Sequence, residues 1–247
     1  MRYFIELAYN GTRFSGWQRQ PNDSSVQETI EVALTTLLRK PISIMGCGRT
    51  DAGVHASQFF LHFDFEETLA PNLIGRLNKF LGKDIAIRRI FPVADEAHAR
   101  FDATARSYAY HLCFEKDPFR QESCYAYLYA KKPDFQLLQA AAQLLLSYNA
   151  FFPFCKTNSD AKTMNCQLTK AEWEIHAETG TWIFHISANR FLRGMVRLIV
   201  GMCLQVGTGK ITLEEVKAAL EEQRRLSKSL SVPPEGLFLT KVVYPFI

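Results

Sequence analysis

The amino-acid sequence predicts an α+β fold of two ferredoxin-like, split-βαβ halves with antiparallel sheets. Three observations predict it: segments of apolar alternation, segments with apolar residues three and four apart, and an order of these segments that runs through the chain twice. With 247 residues, 47% of them hydrophobic, the chain can fill two such cores, and its 19 Phe and 9 Tyr exclude a disordered or fibrous polymer.

In the first half, Tyr3, Ile5, Leu7 and Tyr9 alternate as a strand, and Ser25 with Glu28 is the capping-box pattern that opens a helix. Val26, Ile30, Leu34, Leu37 and Leu38 form that helix's inner face, and Pro41 ends it. A short strand over 42–45 and a glycine-punctuated loop from Gly46 to His55 lead to a strand presenting Phe59, Leu61, Phe63 and Phe65. A helix from Pro71 with Ile74, Leu77 and Leu81 inward precedes a strand over 85–91. The order is β-α-β-β-α-β.

The second half repeats it. A strand over 106–114 presents Tyr108, Tyr110, Leu112 and Phe114, and a helix from about Asp134 turns Leu138, Ala141 and Leu145 inward. Strands over 171–176 and 182–188 flank a turn at Gly180, followed by helices over 191–206 and from Thr212, and a closing strand over 237–244. The expected division is 1–103 and 104–247, two rigidly joined halves set side by side with the chemistry in a cleft at their junction, because no Pro/Gly-rich linker separates them.

Net charge is +4, from 29 Lys+Arg against 25 Asp+Glu, too small to nominate a nucleic-acid partner by itself. Its distribution says more. No acidic residue lies between Glu178 and Glu214, where Arg190, Arg193, Arg197 and Lys210 fall, a local field that attracts phosphate or a solvated helix face. The i, i+3, i+7 spacing of the three arginines predicts one shared helix face. Six cysteines without a C-x-x-C pair or a histidine at zinc spacing predict reduced cytosolic thiols and no metal site. No apolar run reaches the ~18–20 residues of a membrane span, and Glu6 interrupts any leader-like segment, so a soluble, cytoplasmic chain is expected.

The loop Gly46-Cys47-Gly48-Arg49-Thr50-Asp51-Ala52-Gly53-Val54-His55-Ala56 is the most informative stretch. Its glycines permit tight turns and close ligand approach. Asp51 within it reads as a turn former, a partner for an arginine or a catalytic carboxylate. A phosphate-binding loop fits poorly, since the Lys-Ser/Thr pair is missing. Cys47 and His55 read as structural.

This loop resembles the active-site loop of the tRNA pseudouridine synthase A family. The resemblance continues through Tyr9-Asn10-Gly11-Thr12, Gly16-Trp17-Gln18-Arg19-Gln20-Pro21, Ala99-Arg100-Phe101, Ala103 to Tyr110, Phe191 to Arg197 and Pro234 to Leu239. It implies isomerisation of uridine to pseudouridine at positions 38, 39 and 40 of the tRNA anticodon stem-loop. It also implies a homodimer that holds tRNA in basic clefts, a duplicated sheet, and neither a metal nor an organic cofactor. Two departures stand out: many relatives carry His-Asp-Phe around Tyr148–Phe152 and an arginine at Cys166.

The resemblance also assigns roles. Asp51 matches the essential aspartate, which attacks C1′ to form an ester or removes a 2′ proton to give a glycal. A carboxylate in a partly apolar cleft needs a cation nearby, and Arg197 matches the arginine that pairs with it. Tyr108 matches the tyrosine that stacks on the target uracil, although a tyrosine on an aromatic strand face is also ordinary core. Arg49 matches the arginine that touches RNA beside the everted base. Arg13, Arg19, Arg100, Phe101, Lys156, Arg190 and Arg193 are expected backbone and phosphate contacts. The alternative from another class is a non-catalytic tRNA-binding or tRNA-folding protein with the same residues. An aspartate-nucleophile hydrolase is disfavoured, because no second carboxylate accompanies Asp51.

Overall fold

The computed structural model describes residues 1–157 and 161–247. Its elements in chain order are β1 (Arg2–Tyr9), α1 (Val26–Leu38), β2 (Met45–Gly46), β3 (His55–Asp64), α2 (Leu73–Leu81), β4 (Ile85–Val93), β5 (Ala105–Cys113), β6 (Tyr125–Ala126), α3 (Phe135–Leu144), β7 (Leu168–His176), β8 (Thr181–Ala188), α4 (Met195–Gly207), α5 (Leu213–Glu221) and β9 (Leu237–Val243). The mixture is the α+β class that the alternation and helical periods predict. No described helix is long and apolar enough to cross a membrane.

The chain forms two compact units, Met1–Thr104 with Phe238–Ile247, and Ala105–Leu237. In the first, β1 runs antiparallel between β3 and β4, and β2 adds to β3. The register places Tyr3 opposite Phe63, Ile5 opposite Leu61 and Leu7 opposite Phe59, so the two apolar rows of the sequence form one face. Helix α1 begins where the Ser25 hydroxyl accepts the Glu28 N–H, and it buries Val26, Ile30, Ala33 and Leu34; Leu37 and Leu38 are only half-buried. Expected strand 42–45 shrinks to the two residues of β2, because Ile42 and Ile44 reach the core without a ladder partner of their own.

Strand β9 belongs to this first unit, whereas the sequence division places 237–244 with the second half. It pairs parallel to β3, with His55 opposite Phe238 and Ala56 opposite Leu239. Beyond it, the Tyr244 ring lies edge-on to Phe4 and Phe60, closing the sheet face that those residues expose.

In the second unit, β8 lies between β5 and β7, antiparallel to both, and β6 pairs with the end of β5. Asp134 caps α3 by accepting the N–H groups of Gln136 and Leu137, and Thr212 with Glu215 completes the capping box of α5. Every residue of α4 except Arg197 is buried, which marks it as the unit's central helix. All six cysteines are buried and outside any disulfide, and burial pushes the thiols of Cys166 and Cys203 up to about 11 and 12.

Candidate active site

Asp51 stands in the turn between β2 and β3, half-buried, with its carbonyl accepting the Val54 N–H at 3.2 Å. A second loop, residues 10–17, holds this turn from outside. Trp17 N–H donates to the Thr50 carbonyl at 3.3 Å, Gly53 N–H to the Phe14 carbonyl at 3.2 Å, and the Tyr9 and Thr50 hydroxyls are 2.9 Å apart. Gly16 adopts φ 97°, and a Cβ there would press into the Thr50 carbonyl; only glycine fits. The Trp17 ring stacks on Phe59 at 4.0 Å, tying the outer loop to the sheet. Asp51 therefore sits on a turn fixed on two sides, the preorganisation a reacting carboxylate needs.

His55 and Cys47 flank the Asp51 turn on either side. His55 Nδ1 accepts the Gly11 N–H at 3.0 Å and its ring stacks on Phe238 at 4.5 Å, while Cys47 N–H donates to the Phe60 carbonyl at 2.8 Å. Both pin the ends of the Asp51 turn.

Within the first unit, the expected RNA contacts differ in their partners. Arg49 is exposed beside Asp51. Arg13 is tied to Asp84 at 3.4 Å, and Arg19 to Glu28 at 3.1 Å and Glu31 at 3.6 Å, so part of their charge is spent within the fold. Arg100 and the 72%-exposed Phe101 cap a tight turn whose N–H groups donate to His98 Nδ1 at 3.1 and 3.2 Å. His62 Nδ1 accepts the Ala99 N–H at 3.0 Å, and burial with the Arg2 charge lowers the His62 imidazole to about 4, so it remains an acceptor at neutral pH.

In the second unit, Tyr108 is half-buried on β5, opposite Ile186 on β8, with its ring edge-on to Phe191 at 5.1 Å. Arg197 is the third residue of α4, in its first turn, and its Nε donates to the Val232 carbonyl at 2.7 Å while Val232 N–H donates back to the Arg197 carbonyl at 3.3 Å. The next carbonyl, Pro233, accepts the hydroxyl of the buried Tyr110 at 2.8 Å. Burial pushes the Tyr110 phenol far up, so it is a permanent donor.

One expectation changes here. Arg190 and Arg193 precede α4, which starts at Met195, so the three arginines do not share a helix face. Gly194 in the left-handed region at φ 69° breaks the run, and the Lys156 stem fills the space where a Cβ would stand. Lys156 N–H donates to the Arg193 carbonyl at 3.1 Å, which brings these two predicted contacts together by chain packing, with Arg193 exposed and Arg190 half-buried.

The sequence reading names Gly16, Trp17 and Tyr110 but gives no supporting role to them or to Val232; the structure shows the first two holding the Asp51 turn, and Val232 holding Arg197. Arg197 is the lone charged residue of a 13-residue helix whose one other polar side chain is Gln205.

With the geometry described, similarity to known proteins is decisive. The chain matches the family described as tRNA pseudouridine synthase over residues 7–102 and 141–245. A tRNA pseudouridine synthase A of Porphyromonas gingivalis is 49% identical over 247 residues, 99% of this chain and 97% of the relative. Those of Parabacteroides distasonis and Bacteroides thetaiotaomicron are 47% and 46% identical, again across 99% of this chain and 96% and 91% of the relatives. Asp51 and Arg197 lie inside the matched segments, whereas Tyr108 lies in the interval between them. The chain belongs to the tRNA pseudouridine synthase family of isomerases.

Proposed function

We propose that the chain converts uridine to pseudouridine at positions 38, 39 and 40 of the tRNA anticodon stem-loop, in the cytoplasm and as a homodimer. The observation that carries the reading is the Asp51 turn, an eleven-residue motif in a chain 49% identical to a tRNA pseudouridine synthase A. The isomerisation breaks the N1–C1′ bond, turns the uracil in place, forms a C5–C1′ bond, and transfers protons from C5 and to N1. Asp51 acts at the ribose, either on C1′ or on the 2′ proton. Arg197 is the proposed ion-pair partner for that carboxylate, and Tyr108 stacks on the base. Arg49 contacts the RNA beside the everted nucleotide, with Arg100, Phe101, Arg13, Arg19, Lys156, Arg190 and Arg193 as further RNA contacts.

The test is incubation with unmodified tRNA transcript followed by carbodiimide mapping of pseudouridine. Wild-type protein modifies positions 38–40, and Asp51→Asn abolishes modification while tRNA affinity stays within a few-fold, since an amide is neither nucleophile nor base. Turnover by the variant removes Asp51 from the chemistry. Absence of turnover by the wild type, with tRNA still bound, leaves a tRNA-binding protein instead. Sedimentation at working concentration reads the homodimer as twice the chain mass, and a fully active monomer overturns it.

A further inference from the structure

Helix α2 presents a basic face outside the residues assigned above. No acidic residue lies between Glu67 and Asp84, and this stretch holds Arg76, Lys79 and Lys83. With Phe80 they recur at i, i+3, i+4 and i+7, and all four are exposed, Phe80 by 47%. Leu73, Leu77 and Leu81 are the buried residues of the helix, so the basic face is its outer one. Two contacts fix how that face is presented. The Asn78 side-chain amide donates to the Ile87 carbonyl at 2.9 Å and accepts the Ile87 N–H at 2.7 Å, clamping α2 to β4, whose other side pairs with β1. Gly82, at φ 67°, then turns the chain, and the Asp84 carbonyl accepts the Asn10 N–H at 2.8 Å. Asn10 opens the 10–17 loop that holds the Asp51 turn, so Lys83 is one residue away from a direct bond to that loop.

Pairing sets these cations apart. Arg13, Arg88 and Arg89 in the same unit are held by Asp84 and Glu6, whereas Arg76, Lys79 and Lys83 reach no carboxylate among the described residues. A face kept for solubility alone mixes both signs and does not open an aromatic ring to water. Here three cations extend over about 10 Å of chain around an exposed phenyl ring, an arrangement that suits a nucleic-acid backbone. One ring offers too little apolar surface to enter a bilayer.

We propose that the outer face of α2 binds RNA phosphates through Arg76, Lys79 and Lys83, with Phe80 packed against the nucleotide between them, and guides the strand toward the loop that holds the Asp51 turn. Contacts of this kind position an RNA without reading its sequence, so the face adds affinity and register to the site rather than base choice. The rigid Asn78 clamp and the Asp84–Asn10 bond keep that register fixed relative to Asp51. Naming tRNA as the RNA rests on the proposed function.

Affinity of the full chain for a tRNA transcript and for its isolated anticodon stem-loop, measured over a series of salt concentrations, tests the face. Combining Arg76→Gln, Lys79→Gln and Lys83→Gln flattens the slope of log affinity against log salt by about 2 for both RNAs, at ~0.7 per lost contact, and weakens binding about tenfold. Phe80→Ala weakens both about fivefold and leaves the slope alone. All four side chains are exposed, so thermal midpoints stay at the wild-type value. The control combines Lys170→Gln, Lys217→Gln and Arg224→Gln, which removes the same formal charge from cations already paired with Glu172, Glu221 and Glu222, and it keeps the wild-type slope. An unmoved slope in the α2 variant overturns the proposal, as does an equal loss in the control or a loss confined to whole tRNA. Vesicles of phosphatidylserine and phosphatidylcholine that bind the wild type and release the α2 variant, with the RNA slope unmoved, also overturn it and make the face a membrane contact. Pseudouridine formation is read in parallel: a slope lost as expected, from a wild type that never isomerises the bound transcript, sinks the proposed function and leaves this face standing.

Discussion

The N–H of Cys166 donates to the carbonyl of Asn149 at 2.9 Å, and Phe151 N–H donates to the Met164 carbonyl at 3.0 Å. The segment around Tyr148–Phe152 and the residue Cys166 are therefore one place in the fold, joined by the bridge between Ala150 and Asn165. Cys166 is 1% exposed, so an arginine there meets no solvent. Cys166→Arg alone is expected to destabilise by about 3–5 kcal/mol, the cost of an uncompensated buried charge. Ala150→Asp together with Cys166→Arg recovers a large part of it. Urea unfolding of both single variants and the double variant checks this, and strictly additive losses contradict the pairing.

Gly16→Ala tests the support of the Asp51 turn. The new methyl group meets the Thr50 carbonyl and the backbone is held at φ 97°, so the turn must shift. Turnover falls by about a hundredfold, the scale of a misplaced reacting group. Gly75→Ala is the counterpart, because the space around that helical residue is open. It raises stability by about 0.5–1 kcal/mol and leaves turnover unchanged, as thermal unfolding and single-turnover rates will read.

Arg197→Lys keeps a charge but loses the Nε–H donated to Val232. A charge-assisted hydrogen bond is worth about 1.5–3 kcal/mol, so kcat falls by roughly 10- to 100-fold, and Arg197→Met falls further. A residue that merely contacts phosphate would behave otherwise, raising KM and lowering the salt slope of tRNA binding by about one with kcat intact. Arg49→Ala should show that second pattern, and Arg19→Ala a smaller slope change, since Arg19 is already shared between Glu28 and Glu31.

His62 links pH to stability. Its folded imidazole, lowered to about 4 mainly by burial, lies below the ~6.5 of an unfolded histidine. Between these values the unfolded chain binds more protons, so stability is complete above about pH 6.5 and declines as pH falls toward 4. Protonation also removes the lone pair that accepts the Ala99 N–H. Thermal midpoints measured from pH 7 to 4 should fall, and His62→Asn should flatten that part of the profile. An equal decline in the variant assigns it to other groups.

The elements themselves were legible because their signals are local. The alternation from Tyr3 to Tyr9, the capping box at Thr212 and the turn at Gly180 are written in neighbouring residues, and the structure keeps them. The loop that carries Asp51 was legible for the same reason, and the structure keeps it as the connection between β2 and β3. What only the tertiary structure decided are pairings between distant segments. The packing of residues 10–17 over the Asp51 turn, the Val232 carbonyl that holds Arg197 and the addition of β9 to β3 depend on where the folded backbone brings carbonyls and ladder edges. Residue type does not record those positions. The arginine spacing failed for the same reason: i, i+3, i+7 counts as one face only within a continuous helix, and the left-handed Gly194, accommodated by the stem of Lys156, starts that helix after Arg193.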